Sequence, residues 1–243
     1  MKIALIGYGK MGKIIETMAM ERGHEIVYRA TSTDFDWKTN PDISKNWDCA
    51  IEFTNPEAVV NNLKHLIQLG IPTVCGSTGW NHALSEIHDW IKIHDGTFIT
   101  ASNFSVGVNL FFALNRKLAQ MMNAQPDYTV QLEEIHHTEK KDAPSGTAIT
   151  TAEGIIQEMD RLEAWQLGAE NLPENTLSIQ ALRLPQVPGT HTVTYNSPID
   201  RIVLSHEAHN RSGFALGAIL SAEFIHQKKG IFTIEEVLNI KND

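Results

Sequence analysis

Apolar residues open the chain as an unbroken run, Ile3-Ala4-Leu5-Ile6, closed by Gly7. Such a run predicts a strand over 2–6 that is buried on both faces. Met11, Ile14, Ile15, Met18 and, less cleanly, Ala19 then recur at helical spacing until Gly23 stops them. The alternation repeats, with strands predicted over 24–30, 49–53, 71–75 and 97–101. Helices are predicted over the Val59, Val60, Leu63, Leu66, Ile67 stripe and over 82–94. Thr54 or Asn55 is placed to cap the first of these, with Pro56 in its opening turn. Residues 31–47 are polar apart from Trp37, Pro41 and Trp47 and predict a loop. Strand and helix alternating five times, with short joints, predict a parallel sheet with helices on both faces.

The rhythm changes near residue 105. Residues 107–122 predict a helix and 127–136 a long strand. Ile149, Ala152, Ile155, Ile156 and Met159 predict a helix over 148–160. Strands are predicted over 178–184, 190–196 and 201–206, joined by turns containing Pro and Gly. The pattern is that of an α+β module with a mainly antiparallel, mixed sheet. From Gly213 the helical pattern returns. The expected architecture is a Rossmann-like α/β domain over 1–105 and 212–243, with an α+β domain over 106–211 inserted in it.

Composition narrows the classes. The net charge is −9 and no long run of one sign occurs, the opposite of what a phosphate-tracking nucleic-acid binder needs. A small anionic ligand stays open, because a few local cations suffice for it. Cys49 and Cys75 are too few for a disulfide framework or a cysteine zinc site, and both sit in apolar runs as buried thiols would. No stretch approaches the ~18 apolar residues of a membrane span, and residues 1–7 lack a secretory h-region. A cytoplasmic protein is expected.

Gly7-Tyr8-Gly9-Lys10-Met11-Gly12 is G-x-G-x-x-G. It follows a predicted strand and opens a predicted helix, the context in which the motif binds a dinucleotide pyrophosphate. Two further segments follow strands at their carboxyl ends: Gly76-Ser77-Thr78-Gly79 and Ala101-Ser102-Asn103-Phe104. Their small, hydroxyl-bearing residues suit the nicotinamide half of the cofactor. No acid stands at the tip of the second strand. Either Asp34 curls back to take the ribose hydroxyls, or the site accepts a 2′-phosphate with Lys10 as the nearby cation. The cofactor is therefore NADH or NADPH.

Residues 134–148 read Glu-Ile-His-His-Thr-Glu-Lys-Lys-Asp-Ala-Pro-Ser-Gly-Thr-Ala. Two histidines and two lysines stand within six residues, just before a helix that Ser145 is placed to cap. A helix N-terminus beside such cations is a ready carboxylate site, though a solvated polar loop has the same composition. Metal-ligating spacing is lacking. His206-Glu207-Ala208-His209 is one residue short of H-E-x-x-H, and adjacent His136 and His137 would face opposite ways on a strand. No metal is expected.

The segment Glu134-x-His136-His137-x-x-Lys140-x-Asp142-Ala143-Pro144-Ser145-Gly146-Thr147-Ala148 resembles the signature of the dihydrodipicolinate (4-hydroxy-tetrahydrodipicolinate) reductases. The glycine loop, Gly76–Trp80, Ala101–Asn109, Arg211–Ala218 and Gly230–Thr233 also resemble family patterns, so the likeness spans nearly the whole chain. It implies an NAD(P)H-dependent reduction of a cyclic imine dicarboxylate at C4, with loss of the 4-hydroxyl as water, in lysine and diaminopimelate biosynthesis. It further implies a homotetramer. In that reading 1–105 with 212–243 binds the dinucleotide, and 106–211 binds substrate and oligomerises. Hinges are expected near 103–107 and 209–213. His136 becomes the proton donor, Lys140 the second donor and carboxylate partner, and His137, Ser145, Gly146 and Thr147 the substrate cradle. Arg183-Leu184-Pro185 and Pro188-Gly189-Thr190-His191 stand where the family has Arg-Gly-Gly and Gly-x-His, so prolines stiffen that loop. Two rivals are a Schiff-base lyase using Lys140 and a non-catalytic dinucleotide sensor. Borohydride trapping on Lys140 marks the first, and cofactor binding without turnover the second.

Overall fold

The computed structural model describes residues 1–34, 36–168 and 172–241. Position 35 of the predicted loop, and 169–171 and 242–243 of the predicted domains, lie outside them. The chain forms two compact units, Met1–Val106 with Ser212–Lys241, and Gly107–Arg211.

The first unit is built on a six-stranded sheet of β1 (Lys2–Ile6), β2 (Glu25–Ala30), β3 (Cys49–Glu52), β4 (Thr73–Cys75), β5 (Thr97–Thr100) and a strand from the tail, Gly230–Phe232. With the tail strand numbered β11 in chain order, the sheet runs β11-β5-β4-β3-β1-β2. Every pairing is parallel. Helices α1 (Lys10–Glu21) and α7 (Ser212–Ile225) bury Ile15, Ala19, Ala218 and Ile219 with Ile3, Leu5 and Ile51. Helices α3 (Pro56–Gln68) and α4 (Leu84–Ile93) bury Val59, Leu63, Ile87 and Ile91 with Phe98. Each fully buried Ile or Leu contributes about 1.5–3 kcal/mol by leaving water. Asn55, not Thr54, caps α3, its side chain accepting from the Ala58 N–H.

Two features depart from expectation. Residues 36–44 are not loop: α2 (Asp36–Thr39) and a 3₁₀ turn (Pro41–Ser44) occupy them. Trp37 is 1% exposed and its ring contacts Trp47 and His65, so tertiary burial holds a helix too short to announce itself by periodicity. The tail, expected to be helical from Gly213, also contains the three-residue strand β11, and α8 (Ile234–Val237) follows it.

In the second unit α5 (Val106–Asn123) and α6 (Gly146–Glu158) cover one face of a five-stranded sheet. Its strands are β6 (Thr129–His136), β7 (Ala164–Leu167), β8 (Thr176–Arg183), β9 (Thr190–Asn196) and β10 (Arg201–Glu207), in the order β10-β9-β6-β8-β7. The sheet is mixed, as expected. Two pairings are antiparallel and two parallel. The crossover through α6 brings the chain to β7 in the direction of β6, and β8 then runs parallel between the two. The edge strand β7, four mostly exposed residues, carries no alternation that would reveal it.

Candidate active site

The glycine loop leaves β1 at the point where the strand order reverses, the place where open parallel sheets bind ligands. A pocket of about 430 Å³ opens there, walled by Gly7, Tyr8, Gly9, Thr31, Asp34 and Lys38 among others. The Gly7 and Tyr8 N–H groups donate to the Ala30 carbonyl, tying the loop to the tip of β2. Gly7 has φ +102°, and a Cβ there would lie 2.1 Å from the Phe53 carbonyl oxygen. Gly9 is different: it is the N-cap residue of α1, has no side-chain cap, and a Cβ there would meet nothing within 4 Å. The first turn of α1 also carries no acid. A bare helix start beside an open pocket fits a pyrophosphate.

Asp34 does curl back. Its Oδ2 accepts from the Thr31 N–H at 2.8 Å and from Thr31 Oγ1, and these bonds hold its carboxyl below the usual range. The cation on the pocket wall is Lys38, which stands on α2, a helix that the polar sequence does not announce. Lys10 is exposed in the first turn of α1 and is absent from that wall. Burial pulls the Lys38 ammonium below the ordinary lysine value, while Glu52 pulls it back up. Met11 and Gly12 belong to α1.

Gly76, Ser77 and Thr78 follow β4, as predicted from its end. Ser77 is buried and its Oγ accepts from the Thr54 N–H, while Gly76 packs against the Phe53 ring. Ala101, Ser102 and Asn103 follow β5, with Asn103 Oδ1 accepting from the Ser105 N–H. Phe104 is 2% exposed and belongs to the core.

In the second unit β6 ends on His136. Side chains alternate along a strand, so Glu134 and His136 share its buried face. Both are buried, Glu134 completely. The Ser145 N–H donates to both Glu134 oxygens at 3.0 and 3.1 Å. Ser145 Oγ in turn accepts from the Ala148 N–H, capping α6 as expected. Arg183 Nη2 lies 3.3 Å from Glu134 Oε1 and also donates to the Asp142 carbonyl at 2.6 Å. His136 Nδ1 stands 3.4 Å from Glu134 Oε2 without hydrogen-bond geometry. His191, on β9, places Nε2 at 3.2 Å from Ser145 Oγ and its ring edge-on to His136.

His137 is half-buried beyond the strand end, with a buried Nδ1 that has no hydrogen-bond partner. Its carbonyl accepts from the Lys140 N–H. Lys140 Nζ donates to both Asp142 oxygens at 2.9 Å. Gly146 is exposed at the start of α6, with Thr147 next to it. The structure thus sets His136 and Ser145 against one buried carboxylate, with Lys140 on the loop between them paired to Asp142. Burial is the main cause that lowers the His136 pKa, opposed by Glu134 and assisted by Lys140 and Arg183. Burial likewise pushes His191 down to about 3, so both rings are neutral near pH 7.

Sequence reasoning gave Glu134, Arg183 and His191 no role, although Glu134 lies in the signature and Arg183 and His191 flank the proline-stiffened loop expected near the substrate. The available signal was the acid two residues before His136 in a strand, where the period of 2 puts it on the buried face. Glu134, His136 and His191 also bring three ligand atoms within 4.8 Å of one another, a triad that sequence spacing did not reveal. Here Arg183 and the Ser145 N–H already satisfy the carboxylate, which disfavours a second cation.

Residues 1–104 match the family described as dihydrodipicolinate reductase, N-terminus, and residues 107–238 match its C-terminus. The chain belongs to the dihydrodipicolinate reductase family. A 4-hydroxy-tetrahydrodipicolinate reductase of Christiangramia forsetii is 46% identical over 239 residues, 98% of each chain. One of Methanocorpusculum labreanum is 36% identical over 197 residues, 79% of this chain and 76% of that one. In structure, a dipicolinate-bound dihydrodipicolinate reductase from Paenisporosarcina sp. TG-14 superposes with a TM-score of 0.75 at 23% identity, covering 99% and 100% of the two chains. Reductase-family membership agrees with the glycine loop and the His136–Thr147 segment, and it makes the protein a nicotinamide-dependent oxidoreductase.

Proposed function

We propose that this chain reduces 4-hydroxy-tetrahydrodipicolinate to tetrahydrodipicolinate, with loss of water, in lysine and diaminopimelate biosynthesis. The observation that carries the reading is the buried His136 beside Lys140 and the start of α6, on a chain 46% identical to a curated reductase of that name. The reduced nicotinamide, once bound, supplies the hydride. Everything else falls to the protein. The Gly7–Gly12 turn and the first turn of α1 take the pyrophosphate, and Asp34 or Lys38 meets the adenosine ribose. The segments 76–78 and 101–103 border the nicotinamide half.

The substrate is a dicarboxylate. Its carboxylates are held by Lys140, His137 and the N–H groups at Gly146 and Thr147, with Ser145 shaping that turn. An incoming carboxylate competes with Asp142 for the Lys140 ammonium. The same negative charge raises the proton affinity of His136, which burial lowers. His136 therefore takes up a proton as substrate binds and delivers it to the ring once hydride has arrived. Lys140 supports the departure of the 4-hydroxyl as water.

A cytoplasmic homotetramer is the accompanying proposal. Both cysteines are free and buried, and among the described residues no helix is long and apolar enough to cross a membrane. The test is a coupled assay with freshly made substrate and each reduced cofactor. Substrate-dependent loss of NAD(P)H absorbance is expected. His136→Ala and Lys140→Ala should each cost at least ~10²-fold in turnover with cofactor affinity near wild type. Full turnover in either variant removes that residue from its role, and borohydride trapping on Lys140 would turn the reading to a lyase.

A further inference from the structure

Glu134 is a fully buried carboxylate in a site that must bind a dianion, and charge alone argues against putting it there. Its contacts explain its presence. One carboxylate holds the residue that caps α6, faces the ring of His136 and anchors Arg183. Arg183 in turn donates to the Asp142 carbonyl and, at 3.4 Å, to the Lys140 carbonyl, so it grips the loop that presents Lys140. From the side of β9, a Cβ at Gly189 would stand 3.0 Å from His136 Nε2, so the backbone closes on the other edge of the ring. His136 is thus held between a carboxylate and a bare glycine.

We infer that Glu134 is the positioning residue of this site, coupling the α6 carboxylate cradle to the proton on His136 through one buried charge. The inference rests on the reductase reading above and deepens it. Two separable links follow. The geometric link runs through the Ser145 N–H and sets where the first turn of α6 meets substrate. The electrostatic link is the negative charge beside His136. The other charged or titratable groups facing that ring are Arg183 from β8, His191 from β9, and Lys140 and Asp142 from the loop before α6. Of these, only Glu134 and Asp142 favour the imidazolium. Arg183 pairs with the carboxylate but works against the proton on His136. The balance between the two therefore sets the pH range in which the ring can act.

The two links can be cut separately. Glu134→Gln keeps the shape and removes the charge. Glu134→Asp keeps the charge and withdraws it by one methylene from the Ser145 N–H. Steady-state rates against pH, substrate KM, NADH binding by fluorescence and ¹⁵N-histidine NMR titration of His136 are the readouts. Glu134→Gln should lower kcat/KM by ~10-fold or more, as expected when a proton donor is misplaced or detuned. It should also move the alkaline limb of kcat/KM and the His136 titration to lower pH, with NADH affinity unchanged. Glu134→Asp should keep the limb near wild type and raise substrate KM several-fold.

A wild-type limb, titration and kcat/KM in Glu134→Gln overturn the inference, as does activity loss that only follows thermal stability with the limb unmoved. If Glu134→Gln does not fold, Glu134→Asp decides: an unchanged KM overturns it and a raised KM with an unmoved limb supports it. Absence of substrate-dependent NAD(P)H oxidation in the wild-type protein would instead sink the reductase reading itself, and an active His136→Ala would remove His136 as its proton donor. His136→Ala inactive beside a normal Glu134→Gln sinks only this inference.

Discussion

At His136 the cost of burial and the need for a proton meet in one ring. Desolvation disfavours the imidazolium, and Glu134 only partly offsets it. The sign of the pH dependence follows. The free enzyme holds the proton only below the lowered pKa, and kcat/KM reports the free enzyme. The alkaline limb of kcat/KM should therefore fall below the ordinary histidine value of about 6.5. The limb of kcat, which reports the substrate complex, should lie higher, because a bound dicarboxylate favours the imidazolium. Parallel pH profiles of the two parameters check this, and coincident limbs would remove substrate-driven protonation from the scheme. Asp34 and Lys38 pose a second question at the same scale. An ionised carboxylate accepts ribose hydroxyls and repels a 2′-phosphate, whereas an ammonium group attracts it. Asp34→Ala should raise KM for NADH and lower it for NADPH. Lys38→Ala should weaken NADPH more than NADH, each by about 1 kcal/mol or more for a charge-assisted contact. Equal changes for both cofactors would place neither side chain at the ribose.

Among the elements, the β1–α1 turn separates two uses of glycine. Gly7 is demanded by the fold, since φ is positive and the Phe53 carbonyl lies where a side chain would go. Gly9 has open space around it, so the fold tolerates a methyl group there and only a ligand can object. Gly9→Ala should leave thermal stability near wild type and weaken cofactor binding ~10-fold or more, the scale of one hydrogen bond to a charged group. Gly7→Ala should lose both. Calorimetry beside a cofactor titration tells them apart, and a Gly9→Ala variant that binds normally moves the pyrophosphate off this turn. The same turn shows why much of the first unit was legible. Strand, glycines and amphipathic helix are local signals, each readable within about 12 residues. What escaped was written over longer distances. Helix α2 exists because Trp37 finds Trp47 and His65. Strand β11 exists because β5 offers it an edge. In the site, His136, Lys140 and Ser145 were readable because they share one segment. Arg183 and His191 come from strands some 50 residues away, and only the β6–β8 and β6–β9 registers bring them to Glu134.

For the molecule as a whole, the sheet of the second unit poses a question that helix packing leaves open. Leu132, Ile179 and Val193 point into the helices and are fully buried. The alternate positions form the other face, where Gln131, Thr194 and Val203 lie in register across β6, β9 and β10. Leu182 on β8 is 42% exposed and Val203 is 48% exposed. A sheet face carrying such residues and, among the described residues of this unit, no helix is a candidate for burial against other copies of the chain. The proposed tetramer would bury this face. Light scattering should then give about four times the 27.1 kDa of one chain. Replacing Val203 and Leu182 together by lysine adds like charges on each protomer, which a symmetric interface sets against one another. The variant should sediment as smaller species while NADH binding persists, because the glycine-loop pocket proposed to take the cofactor lies in the other unit. A wild-type chain that runs as a monomer at micromolar concentration would refute the tetramer. A variant that stays tetrameric would move the interface off this face.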